Sequence, residues 1–315
     1  MKQLFLKREA GIFILLAVLC TVVAILNPHF LKPQNLQNEG RLIGMFGIFS
    51  IGAGIVIITG GIDLSTGSLM ALLGVQLAII LVEKHWPWPV AILTVLITAG
   101  LLGLAQGVLI TRLKLQPFIV TLCGLLIYRG TAQTIAHDET KGLGVNTGFE
   151  LLQKLTTGEV CGVPNQFILL VIIAIIMWVV LHRSVYGRYL FAIGQNEAAT
   201  RYSGIGTRGI IVSAYVLSGL FGAISGILFA FYSVSISPAS HAQFYELYGI
   251  AAAVLGGCSL AGGEGSIIGI VLGTALLQVL QNLVILLNIP SSLNFAVMGG
   301  VILIGVIADQ LLKKK

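Results

Sequence analysis

The sequence predicts an all-α polytopic membrane protein of about ten transmembrane helices, with some segments broken or re-entrant. Three observations carry that prediction. Hydrophobic residues make up 57% of the chain and charged residues only 10%, against about 25% charged in a soluble domain. Apolar runs recur from end to end with no polar block between them, and crossing about 30 Å of hydrocarbon takes about 20 apolar residues in a helix. Two of the most apolar regions are interrupted by glycine, hydroxyl and acid, in GGIDLSTGS at 60–68 and VLGGCSLAGGEGS at 254–266. The runs form a single membrane domain, 1–315.

The first run, near 10–27, follows the basic start MKQLFLKRE. It is long enough to span and no small-residue cleavage site follows, so it reads as a retained helix rather than a signal peptide. Leu19 before Cys20 is too bulky for a lipoprotein site. The next runs, near 41–60 and 65–82, flank GGIDLSTGS. WPWP at 86–89 is an interfacial aromatic anchor whose prolines start the run near 89–110. The run near 117–135 precedes an excursion at 136–165, and the run near 166–182 precedes a loop at 183–209. The last four runs lie near 210–232, 246–261, 266–287 and 293–309.

Basic residues orient the bundle. With the N-terminus cytoplasmic and every run crossing, twelve Lys and Arg fall inside and six outside, as the positive-inside rule requires. Both termini are then cytoplasmic, 136–165 is external and 183–209 is the longest and most basic internal loop. The net charge of +6 is scattered over short loops and tails, which reads as topological signals at the surface of the membrane lipid rather than as a nucleic-acid site, where bases gather on one face. Cys20, Cys123, Cys161 and Cys258 stand far apart. No metal spacing or disulfide framework is expected of them, and no cofactor is implied.

Within GGIDLSTGS, glycines let a helix unwind and neighbours approach. Asp63, Ser65 and Thr66 can cap the restarted helix, and Asp63 suits its N-terminal dipole. The reading as a capped restart and the reading as a substrate contact overlap, because irregular backbone at membrane depth lines a cavity or is buried in protein. GGIDL at 60–64 has an echo in GGCSL at 256–260. Transporters carry broken helices in corresponding places of internal repeats, although five letters also recur by chance in a glycine-rich chain. Within the internal loop, NEAATRY reads as a short helix. Asn196 caps it, Glu197 fits its first turn, Gly194 precedes it and Gly204 ends it. It is either a docking element for a soluble partner or an interfacial loop helix.

GGIDLSTGS, QPFIVTLCG at 116–124, GRYLFAIGQNEAATRYSGI at 187–205 and VLGGCSLAGGEGSIIGIVLG at 254–273 resemble, in order and spacing, the ribose/xylose/arabinose-type permeases. These are the membrane subunits of bacterial monosaccharide ABC importers, and the resemblance runs from about residue 40 to the C-terminus. It implies a permease of the inner membrane that performs no covalent chemistry. Its partners would be a second permease copy or a homologous permease, a cytoplasmic ATP-binding subunit, and a periplasmic or extracellular sugar-binding protein. It implies that Gly194, Asn196, Glu197, Ala198, Ala199, Arg201 and Gly204 couple the chain to the ATPase. It also implies that Gly60, Gly61, Asp63, Ser65 and Gly67 form a helix break beside the translocation path. This sequence departs from the family at Tyr248 in YELYGIA, where an acid is usual, at Gln106, at Cys258 and at Glu264.

Neutral amides and hydroxyls in the spans suit a neutral polyol, and Gln106, Tyr248 and Asn282 are the candidates for its path. The competing role for each is an interhelical hydrogen bond, worth about 0.6 kcal/mol on average. No G-x-x-x-x-G-K-[ST] phosphate loop occurs, so ATP would be hydrolysed on a partner. An ion-coupled secondary transporter is the alternative, but Asp63, Glu246 and Glu264 are few acids for a proton relay. Neither G-x-S-x-G nor H-E-x-x-H is present, which argues against an intramembrane enzyme.

Overall fold

A computed structural model of the chain describes residues 2–144 and 148–290, together with helical positions 293, 296, 299, 300 and 303. Among the described residues, eight helices are long and apolar enough to cross a membrane. They are α1 (Lys2–Leu26), α2 (Pro33–Ile58), α3 (Thr66–Ala78, extended by a π-helical turn Ile79–Glu83), α4 (Trp88–Arg112), α5 (Pro117–Ala136), α7 (Asn165–Arg183), α10 (Thr207–Ser233) and α12 (Ile267–Leu286). Shorter helices are α6 (Glu150–Thr157), α8 (Val185–Gln195), α9 (Glu197–Tyr202) and α11 (Tyr245–Leu255).

The run expected to span at 246–261 is corrected. It forms only the 11 residues of α11, about 16 Å of helix at 1.5 Å per residue, roughly half the hydrocarbon thickness. Gly256 and Gly257 stop it, and the chain does not become helical again until Ile267. The expected span at 293–309, with Asn294 and the Lys313–Lys315 tail, lies largely outside the described residues.

Helices α2 and α10 form the centre. Phe46, Phe49, Ile51 and Ile55 of α2 pack with Phe221, Leu228 and Phe229 of α10 in the principal core. Such all-round burial fits helices with no polar stripe. Helix α4 crosses α10 closely at small residues: a Cβ on Gly103 would lie 2.6 Å from the Tyr215 carbonyl oxygen, and one on Gly219 would lie 2.8 Å from that of Ala99. In lipid, where no hydrophobic force drives helices together, such close approach is the main source of cohesion. Helix α1 packs at the periphery through Val23 against Val279 of α12.

The 136–165 excursion is folded. Strand β1 (Lys141–Gly142) pairs antiparallel with β4 (Ser235–Ile236), and β2 (Glu159–Val160) pairs with β3 (Val163–Pro164). Leu143, Phe149 and Leu152 are buried with Phe231 and Ile236. The excursion thus clamps the end of α10 and the start of the 234–244 connection. In that connection Val234, Ala242 and Phe244 hold φ of 61°, 53° and 65°, a left-handed conformation that is an outlier for a branched residue such as valine.

Candidate functional site: two helix breaks and the loop that meets them

Helix α2 stops at Ile58, and Gly60 takes a φ of +83°. The chain then runs irregularly to Ser65 and restarts as α3 at Thr66. The restart is held by Asp63. Its Oδ1 accepts from the Ser65 N–H at 2.9 Å and the Ser65 hydroxyl at 2.7 Å, and its Oδ2 accepts from the Ser218 hydroxyl of α10 at 2.8 Å. Gln106 of α4 donates to the Ser65 hydroxyl at 2.8 Å. Asp63, Ser65, Gln106 and Ser218 are all buried, so this network ties the break to two neighbouring helices out of reach of water. The expectation that Asp63, Ser65 and Thr66 all cap α3 needs correction. Asp63 caps through Ser65, the Ser65 hydroxyl is spent on Asp63 rather than on the helix, and the buried Thr66 hydroxyl has no partner.

Glu246, in the first turn of α11, accepts a hydrogen bond from the Gly67 N–H at the start of α3. A Cβ on Gly67 would collide with that carboxylate, and it would lie 2.5 Å from the Ala242 carbonyl oxygen. Two buried carboxylates, Asp63 and Glu246, therefore attend one helix N-terminus, where the dipole and free N–H groups favour negative charge. Arg129 of α5 faces Glu246 electrostatically and donates to the carbonyls of Pro238 and His241 at 3.1 and 2.8 Å. Burial, and then the Arg129 cation, push the His241 imidazole down to about 4, so it is neutral at physiological pH. Sequence reasoning weighed Glu246 only as an acid for a proton relay and did not pair it with Arg129; an acid opening an apolar run and an arginine inside one were the available signals.

The second break spans 256–266. Gly257, Gly262 and Gly263 take φ of +95°, +87° and +74°, and the Ser266 hydroxyl accepts from Gly269 N–H at 3.4 Å to start α12. The two breaks touch: Gly263 N–H donates to the Ile58 carbonyl at 2.9 Å. The end of α8 closes on both. A Cβ on Gly194 would collide with the Ile58 carbonyl oxygen and the Gly263 nitrogen, and Gln195 donates to the Gly263 carbonyl at 3.4 Å. Only backbone separates the three segments.

Helix α9 follows at once. The Asn196 side chain accepts from Ala199 N–H at 2.9 Å, and Gly204, at φ +84°, donates to the Arg201 carbonyl at 3.0 Å. Both ends match the sequence reading. Asn196, Glu197, Ala198, Ala199 and Arg201 are exposed, and Tyr202 is 86% exposed. Glu197 accepts from the Thr207 hydroxyl at 3.2 Å, which fixes α9 to the start of α10.

The three candidate path residues are engaged separately. Gln106 belongs to the first break. Tyr248 is half-buried beside Phe46 and Tyr245 and hydrogen-bonds Gln281. Asn282 donates to Glu39 at 2.8 Å and to Asn35 at 2.9 Å. Glu39, which sequence reasoning left outside the second span, is buried within α2, and its Oε2 has no partner.

Residues 39–306 match the family described as the branched-chain amino acid transport system/permease component. The chain is 38% identical over 304 residues to the ribose import permease protein RbsC of Bacillus subtilis, covering 96% of this chain and 93% of that protein. It is 38% identical to RbsC of Escherichia coli, covering 96% and 94%. It is 30% identical to the D-allose transport system permease protein AlsC of Escherichia coli, covering 96% and 92%. With its apolar helices and these matches along nearly its whole length, the chain belongs to this permease family, as a multi-pass inner-membrane protein of the sugar ABC importer type.

Proposed function

We propose that the chain is the translocating subunit of an importer that moves a monosaccharide inward, energised by a separate ATPase and supplied by an external sugar-binding protein. A second copy or a homologous permease completes the pathway, and both termini face the cytoplasm. The observation that carries this reading is the backbone contact of the α8 end with both helix breaks. A force on α9 is passed through Gly194 to the ends of α2 and α11 and the starts of α3 and α12, with no side chain between to absorb it. Exposed Asn196, Glu197, Ala198, Ala199 and Arg201 offer the surface for the ATPase. Gly60, Gly61, Asp63, Ser65 and Gly67 hold the break beside the path. Relatives named for ribose and fructose import and for D-allose and galactofuranose transport support a sugar cargo.

Uptake into vesicles reconstituted with the partner subunits tests the reading. Uptake should require ATP, and uptake on a proton or sodium gradient alone would refute it. Glu197→Arg should leave the protein inserted while separating ATP hydrolysis from uptake. Retention of both ligand-stimulated hydrolysis and uptake in that variant would count against α9 as the docking element.

A further inference from the structure

A cavity of about 450 Å³ lies between the first helix break, the turn joining α4 to α5, and α9. Its charged lining is Lys114, Arg201, Arg208 and Glu197, three cations to one carboxylate. Lys114, Arg201 and Arg208 are exposed, and none has an ion-pair partner among the described residues. Glu197 is turned toward α10 by the Thr207 hydroxyl. At the inner end is Tyr215, 1% exposed, whose hydroxyl has no hydrogen-bond partner. That hydroxyl lies against Gly61: a Cβ there would be 2.5 Å away.

These features call for an anion. Three cations against one carboxylate give the space a net positive potential, which favours an anionic occupant. A buried phenol without a partner costs about 1–3 kcal/mol, which an oxygen acceptor at that point relieves. Guanidinium groups match phosphate oxygens in geometry as well as charge. The volume is within the range of small-molecule sites, about 300–1,000 Å³, and exceeds what a bare anion needs. Thr111 and Gln116 add neutral polar groups to the wall, suited to hydroxyls on the rest of the ligand.

We propose that this cavity binds a phosphate-bearing small molecule, a phosphorylated monosaccharide in size and chemistry. The same phosphate chemistry has a second source, the headgroup of an anionic phospholipid. Because α9 and the first break are two of its walls, an occupant would bear on both elements that the transport reading joins. The choice of a sugar ester rests on that reading, whereas phosphate binding itself does not.

The test uses the full chain in nanodiscs of phosphatidylcholine alone, titrated calorimetrically with inorganic phosphate, phosphorylated ribose and ribose. Saturable binding is expected for both phosphate probes, tighter for the sugar ester, and none is expected for ribose. Replacing two of the three exposed cations in Lys114→Gln/Arg208→Gln should weaken binding about tenfold, the scale of two partly screened ion pairs. Tyr215→Phe should weaken it about threefold. Lys114→Arg should retain it. In discs containing phosphatidylglycerol, loss of the soluble-phosphate signal would support the site with lipid as the occupant, and an unchanged titration would support the free ester. Phosphate binding with no preference for the sugar ester would uphold the site but count against the monosaccharide. Absence of saturable phosphate binding, or binding undiminished in the double variant, would overturn the proposal.

Discussion

Asp63 separates two accounts of an acid at membrane depth: a charge needed for transport, or an acceptor that holds a broken helix. Its two oxygens accept three hydrogen bonds, from Ser65 N–H, the Ser65 hydroxyl and the Ser218 hydroxyl, at 2.9, 2.7 and 2.8 Å. Asp63→Ala removes all three. The hydroxyls can turn to backbone carbonyls, but the Ser65 N–H cannot move and is left buried at about 1–3 kcal/mol. The vacated volume adds about 1 kcal/mol, so the loss should reach about 2–4 kcal/mol. Asp63→Asn keeps the Oδ1 bonds and offers Nδ2 to the Ser218 hydroxyl, which rotates to accept. Only charge assistance is lost, about 1 kcal/mol. Denaturant unfolding of the purified chain in mixed micelles measures both, and vesicle uptake should follow the same order. If Asn is as damaging as Ala, the charge itself is required and the capping argument fails. If Ala costs less than about 1 kcal/mol, the network does not hold the break.

Further predictions follow the same contacts. Gly194→Ala should destabilise by about 1–3 kcal/mol, since its methyl meets the backbone of Ile58 and Gly263, which cannot swing aside; an unchanged melting temperature would contradict the packing. Arg129→Met removes the donor to the Pro238 and His241 carbonyls, worth about 1.5–3 kcal/mol for bonds to a charged group; amide exchange should accelerate across 234–244 but not across 60–68. Glu39→Gln keeps an acceptor for Asn282 and removes a carboxylate whose Oε2 is buried without a donor. It should be neutral or stabilising by about 1 kcal/mol, and a loss of more than that would mean the charge has an occupant.

The spans were legible because lipid imposes one rule, an apolar run closed by its own backbone bonds, and the ends of α4, α5, α7 and α10 fall within a few residues of the runs that predicted them. The rule misled at 246–261, where composition remains apolar after the helix has ended. Gly256 and Gly257 stop α11, but Cys258, Leu260 and Ala261 carry the apolar run on to 261, and a run of that length reads as a span unless glycine pairs are given weight as terminators. Glu39 was lost for the opposite reason. Seven polar or charged positions between Lys32 and Arg41 look like a loop, yet Pro33 starts α2 and the helix carries Glu39 inward, where Asn282, far along the chain, meets it.

Capping is local chemistry, so Asn196 and Gly204 could be read at the ends of α9, and Asp63 at the start of α3. The contacts of those caps with other helices could not be read. Ser218 and Gln106 are ordinary polar residues in apolar runs, and nothing in either run marks them as partners of residues 63 and 65. The echo of GGIDL in GGCSL was the one long-range clue, and the fold gives it a physical reason that differs from shared chemistry. The two restarts are capped differently, by Asp63 through Ser65 in one and by the Ser266 hydroxyl in the other. What they share is backbone: each glycine pair holds one residue at positive φ, Gly60 at +83° and Gly257 at +95°, and beyond the second pair the segments approach until Gly263 N–H bonds the last carbonyl of α2. A side chain in the place of Gly262 or Gly194 would come within 3 Å of another segment's main chain. Gly194, Gly262 and Gly263 therefore record how closely the two breaks and the α8 end must pack, a requirement that persists whatever each break does with its polar groups.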